Sequence, residues 1–154
     1  MKELKIGEKA PDFSLKNSDE TLISLKDFLG KKVIIYFYPK DDTPGCTTQA
    51  CDFTANYDKL RNNEIVVIGI SPDSTNSHLK FIDKYKLKHI LLSDPQKEVI
   101  KTYGAWGIKK NYGKEYEGLI RSTFIIDEKG KISKIYKNVK AKGHIDVLLK
   151  DLQC

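Results

Sequence analysis

Apolar residues in this chain gather into short runs separated by segments of helical spacing. Residues 33–38 form an unbroken β-branched and aromatic stretch, the pattern of a strand covered on both faces. Residues 65–71 repeat that pattern, and 90–93 give a shorter version. Between the first two runs, Ala50, Phe53, Tyr57 and Leu60 recur at helical spacing and predict a helix over about 44–61. Ser74 or Thr75 opens a second helix carrying Leu79, Ile82 and Tyr85, and Asp94-Pro95 opens a third through Val99 and Tyr103. Residues 13–15 and 22–25 flank the polar Asn17-Ser-Asp-Glu20 and predict a hairpin. Residues 122–127 and 131–136, around Glu128-Lys-Gly130, predict another, and a last helix is expected over about 141–152. Alternating strands and helices argue an α/β architecture, and the terminal hairpin makes the sheet mixed.

Composition adds boundaries to this picture. At 154 residues the chain is expected to form one domain, spanning 1–154, that buries roughly two thirds of its unfolded surface. No apolar run approaches the roughly 20 residues of a membrane span. The charged opening Met-Lys-Glu-Leu-Lys-Ile-Gly-Glu-Lys-Ala has no apolar core, so a secretory signal is not expected. Three cysteines in an unexported chain then read as free thiols in a reducing compartment, the cytoplasm. The net charge of +6 raises a nucleic-acid partner, but the lysines are scattered and interleaved with acids. A well-solvated lysine-rich surface is the simpler reading.

Candidate chemistry centres on residues 36–51. Pro39 cannot extend the strand before it, and 40–43 form a polar loop. Thr43 fits a helix N-cap and Pro44 the first helical position, which puts Cys46 one turn in. There a sulfur lies near unpartnered backbone N–H groups and the positive end of the helix dipole, and both favour thiolate. The neighbours Gly45, Thr47, Thr48 and Gln49 offer no apolar face, which speaks against a packed core cysteine. Arginine is scarce: of 27 basic residues only Arg61 and Arg121 carry a guanidinium. Such a chain keeps arginine where a permanently charged fork is wanted. Arg61 reads as a helix C-terminal dipole partner, whereas Arg121 opens an apolar strand, where a structural ion pair is the plain alternative. His78, His89 and His144 stand isolated in polar stretches, are not at metal-ligand spacing, and are expected at the surface. Neither a C-x-x-C pair nor a glycine-rich nucleotide loop occurs.

The motif Pro39-x-x-x-Thr43-x-x-Cys46 resembles the active site of the peroxiredoxins, and Cys51 five residues on resembles their peroxiredoxin Q, or bacterioferritin comigratory protein, branch. Similarity continues through Gly7-Glu-Lys-Ala-Pro-Asp-Phe-Ser-Leu15, Tyr103-Gly-Ala-Trp-Gly107, Asn111-Tyr-Gly-Lys114 and Arg121-Ser-Thr-Phe-Ile-Ile-Asp127. The resemblance implies a thioredoxin-like fold, with a mixed central sheet flanked by helices and an N-terminal β-hairpin. It implies a peroxidase in which the Cys46 thiolate reduces hydrogen peroxide or an organic hydroperoxide. Cys51 would resolve the sulfenic acid as an intramolecular disulfide, and thioredoxin or a similar dithiol would reduce that bond. Arg121 becomes the guanidinium that holds thiolate and peroxide, and Thr43 offers its hydroxyl, unless it serves only as a cap. Pro39 shields the sulfur from water as well as ending the strand. Trp106 and its tyrosine neighbours would pack against the active-site loops. The resemblance implies no cofactor and no metal, and the chain is expected as a monomer or weak dimer. Cys154, at the terminus, reads as incidental, with an alternative resolver or an intermolecular bridge as the other readings. Two rivals stay open, a redox sensor that passes oxidation to a partner and a non-peroxidatic thiol–disulfide oxidoreductase.

Overall fold

The computed structural model describes residues 3–153. Strands β1 (Ser14–Asn17), β2 (Leu22–Ser24), β3 (Lys32–Phe37), β4 (Ile65–Ser71), β5 (Ile90–Ser93), β8 (Ser122–Ile126) and β9 (Ile132–Tyr136) form one sheet in the order β2-β1-β5-β4-β3-β8-β9. A separate hairpin joins β6 (Trp106–Asn111) to β7 (Lys114–Leu119). The helices are α1 (Pro44–Ala55), α2 (Tyr57–Asn62), α3 (Thr75–Tyr85), α4 (Glu98–Thr102) and α5 (His144–Asp151). β3, β4 and β5 run parallel, while β1 and β8 pair antiparallel at either side of them. The mixed sheet, its flanking helices and the N-terminal hairpin are as expected.

Period-two alternation divides the interior into two layers. Val33, Ile35 and Phe37 of β3 face a core shared with Leu25, Ile100, Tyr103 and Phe124. Ile34 and Tyr36, with Tyr38 just beyond the strand, face the opposite core, with Cys46, Ala50, Phe53, Leu60, Phe81 and Leu148. That second layer carries α1, α2, α3 and α5, so Cys46 sits on it. Gly69 of β4 is opposite Tyr36, and a Cβ there would lie 2.7 Å from the Tyr36 ring. Glycine therefore lets Tyr36 lie across β4 and stack on Phe53, with ring centroids 4.7 Å apart.

Several expectations need correction. The helix foreseen over 44–61 is two helices, because Asn56 leaves helical geometry at φ −105°, ψ 10° and its side-chain amide donates to the Asp52 carbonyl. The third helix begins at Glu98 rather than Asp94, whose carboxylate instead accepts from the Ile100 N–H. The last helix begins at His144 rather than 141. The β6–β7 hairpin was not foreseen as secondary structure. Its turn residues Tyr112 and Gly113 both have positive φ, 52° and 78°, the geometry of a two-residue hairpin turn.

The histidines overturn a second expectation. His78 and His89 are 0% and 6% exposed, and His144 is 7% exposed. Each has polar partners that make burial tolerable. His78 meets Asp41 and the Leu92 carbonyl, His89 meets Tyr36, and His144 meets Thr123. Cys154 lies outside the described residues. Among them, no helix is long and apolar enough to cross a membrane.

Candidate active site

Cys46 occupies the third position of α1, after Thr43 at the N-cap and Pro44 at the first position. The amide N–H groups at Gly45 and Cys46 belong to the first helical turn and have no intrahelical acceptor. Against expectation, Cys46 is buried at 1% exposure, because its turn faces the second core while Thr48 faces solvent. The polar neighbours misled because a helix buries a stripe rather than a contiguous stretch.

Arg121 stands between β7 and β8 and is half-buried. Its backbone carbonyl accepts from the Val139 N–H at 2.9 Å, which ties the strand start to the segment leading into α5. One guanidinium nitrogen, Nη2, lies 3.2 Å from Cys46 Sγ, and the other, Nη1, donates to Gln49 Oε1 at 2.6 Å. The fork thus bridges two residues one turn apart on α1, a task the single ammonium of lysine does not duplicate. Gly45 makes room for it, since a Cβ there would lie 3.3 Å from Nη2.

Gln49 is the residue that sequence reading passed over as a polar neighbour. It is 2% exposed, and its Nε2 has no hydrogen-bond partner among the described residues. Its position three residues after Cys46 was the available signal, since i and i+3 share a helix face.

The remaining candidates lie around this pair. The Thr43 hydroxyl does not cap α1; it donates to the Lys40 carbonyl at 2.9 Å, which leaves its lone pairs free to accept. Pro39 is exposed, two residues past the end of β3. Cys51 lies half-buried on the same intact helix as Cys46, and both are free thiols. Burial, and then the neighbouring Asp52 carboxylate, push the Cys51 thiol up from its ordinary value. Trp106 is half-buried against the first core and lies beneath the ammonium groups of Lys97 and Lys101, at 5.4 and 5.6 Å.

Behind the site, Asp41, Asp73 and His78 each bring one potential metal-ligand atom within 4.8 Å of the others. Their atoms are committed to hydrogen bonds: Asp41 to Tyr38, Ser77 and His78, and Asp73 to Ser71 and the Asp41 N–H. The cluster has the form of a structural network.

Comparison with known proteins identifies the relatives of this chain. The AhpC/TSA family model matches residues 6–135. A putative peroxiredoxin bcp of Helicobacter pylori is 53% identical over 152 residues, covering 99% of this chain and 100% of that protein. Peroxiredoxin Bcp of Bacillus subtilis is 44% identical over 150 residues, covering 97% and 96%. A solved structure of a Xanthomonas campestris bacterioferritin comigratory protein superposes with a TM-score of 0.90 at 33% identity, over 97% of this chain and 98% of the other. A matching fold and similarity along nearly the whole chain converge: the chain belongs to the AhpC/TSA family, among the Bcp peroxiredoxins.

Proposed function

We propose that this chain is a thiol peroxidase that reduces hydrogen peroxide and organic hydroperoxides through Cys46. The observation that carries the reading is the 3.2 Å contact between Arg121 Nη2 and a buried sulfur at a helix N-terminus. The Xanthomonas campestris relative, with alkyl peroxide reduction activity, supports the substrate class.

The Cys46 thiolate attacks the terminal oxygen of the hydroperoxide; an S–O bond forms as the O–O bond breaks. The departing hydroxide or alkoxide takes the electron pair and is protonated to water or alcohol. Arg121 and the N–H groups of Gly45 and Cys46 face the oxygens on which charge develops. Thr43 Oγ1, its proton engaged with Lys40, accepts from the hydroperoxide O–H and orients it. Pro39 limits water at the sulfur. The Cys51 thiolate then attacks the sulfenic sulfur, hydroxide leaves as water, and a Cys46–Cys51 disulfide remains. A thioredoxin-type dithiol supplies the two electrons that reopen it. The protein works in the reducing cytoplasm, as a monomer or weak dimer.

Two substitutions test the division of roles. Cys46→Ser abolishes peroxide consumption, because a serine hydroxyl supplies almost no anion at neutral pH. Cys51→Ser keeps the first stoichiometric turnover and loses reductant-linked cycling. Equal loss of the first turnover in both variants overturns the assignment. A single burst without cycling in the parent protein, given a competent dithiol, favours the sensor.

A further inference from the structure

The loop that delivers Thr43 to α1 is held from behind by two consecutive aspartates. Asp41 is buried at 8% exposure, and both oxygens of its carboxylate have partners within the protein. Its Oδ1 accepts from the Tyr38 hydroxyl at 2.6 Å, while Oδ2 accepts from Ser77 Oγ at 2.8 Å and faces His78 Nδ1 at 2.7 Å. Its N–H donates to Asp73 Oδ2 at 2.8 Å, an oxygen that Ser71 Oγ also reaches at 2.8 Å. His78 is itself fixed on its other side, with Nε2 3.0 Å from the Leu92 carbonyl. The next residue, Asp42, stands in the left-handed region at φ 58°. Its carboxylate meets Lys84 Nζ at 2.8 Å and the Tyr85 hydroxyl at 2.7 Å. Side chains of a helix lean toward its N-terminus, so Lys84 and Tyr85 reach back along α3 toward the loop that Ser77 and His78 hold from the other end.

We propose that Asp41 is a positioning residue for peroxide reduction: its buried network fixes the 39–43 loop on α3 and on the ends of β3 and β4, and so sets Thr43 and the first turn of α1. Asp42 is the weaker half, because the Lys84 pair is exposed to solvent and screened. The anchor lies wholly outside α1. Helix α1 can therefore unwind for disulfide formation and refold onto a loop that has not moved. The inference rests on the peroxidase reading above, and the two fail separately. A parent protein that does not consume peroxide refutes the reading. An active parent with an unaffected Asp41 variant refutes only the inference.

The test uses a Cys51→Ser, Cys154→Ser background, so that Cys46 alone reports. Two rates are compared, oxidation of Cys46 by hydrogen peroxide and its alkylation by iodoacetamide. Alkylation needs a reactive sulfur but no oriented hydroperoxide. Asp41→Asn is expected to slow oxidation by about a hundredfold, the scale of a misplacement near 1 Å, and alkylation by less than about threefold. Asp41→Glu, which keeps the charge, recovers part of the oxidation rate. Asp42→Asn changes either rate by less than about threefold. Equal slowing of both reactions in a folded Asp41→Asn protein overturns the proposal, as does an unchanged oxidation rate. Should Asp41→Asn not fold, Ser77→Ala removes one bond of the network and is expected to slow oxidation selectively by about five- to tenfold, the worth of one hydrogen bond. Parent behaviour in that variant overturns the proposal as well.

Discussion

At the scale of single residues, the site depends on groups that look interchangeable in sequence but not in geometry. Arg121 reaches Cys46 Sγ with one nitrogen and Gln49 Oε1 with another. Arg121→Lys keeps the charge but cannot span both, so we expect the first peroxide turnover to slow by at least about tenfold. A lysine variant that reacts at the parent rate would reduce Arg121 to a structural role. Cys51 carries a second residue-level prediction. Its thiol is pushed up by burial first and by Asp52 second, so at neutral pH little of it is thiolate. Since the thiolate is the attacking form, disulfide closure should accelerate with rising pH, approaching tenfold per unit below the Cys51 pKa. Asp52→Asn removes the like-charged neighbour and should speed closure at fixed pH 7. Rapid-mixing measurements of sulfenic acid decay between pH 6 and 8 check both, and a flat profile contradicts them. Cys46 could be singled out from its place at a helix start and Arg121 from the scarcity of arginine, whereas Cys51 was pointed to only by the family resemblance. Gln49 was passed over because its amide alone does not announce burial; only its place three residues after Cys46 hinted at the shared helix face.

At the scale of elements, α1 has two incompatible tasks. Residues five apart on an α-helix differ by about 7.5 Å of rise and about 140° of rotation, which places the Cα atoms of Cys46 and Cys51 roughly 8.5 Å apart. A disulfide needs about 4.4–6.8 Å. Both residues lie within the continuous α1, so the thiols cannot join until it opens. Opening is resisted by Cys46, Ala50 and Phe53, which are all packed in the second core, and by the Arg121 contacts. It is favoured by the short length of α1, by Gly45 and the threonines, and by the break at Asn56, which lets α1 unwind without disturbing α2. Amide exchange over residues 47–53 should therefore be slow in reduced protein and fast after oxidation, with α2 little changed. Equal protection in both redox states would mean that the disulfide forms elsewhere. The central strands and the position of α1 could be read from hydrophobic period and caps. The Asn56 break and the β6–β7 hairpin could not. One depends on a single side-chain bond, and the other is a polar ribbon whose lysines and glutamates give no burial signal.

At the scale of the whole molecule, the three histidines that read as surface residues are part of what holds the layers together. Each has an apolar residue on one side only (Leu79, Ile90, Ile145), and period alone cannot show that α3, the entry to β5 and α5 turn these rings inward. His89 lies under Tyr36 and Phe53, with Nε2 2.7 Å from the Tyr36 hydroxyl. Burial lowers its pKa from 6.5 to about 3. His144, 2.9 Å from Thr123 Oγ1, is lowered to about 4, by burial first and by the Arg121 charge second. In the unfolded chain both rings protonate near 6.5, so below that pH the unfolded state binds more protons than the native one. Their contribution is complete above about pH 6.5 and is lost as pH falls toward about 4 and about 3, at up to roughly 1.4 kcal/mol per unit for each ring. Asp52 and Asp94 act in the opposite sense, since burial raises both above 3.8. Urea unfolding should therefore show a histidine-dependent loss of stability as pH falls below about 6.5. His89→Gln keeps an amide near the Tyr36 hydroxyl but cannot titrate, so it should flatten the slope by up to about half, whatever its stability at pH 7. A variant with the parent slope would locate the acid sensitivity elsewhere.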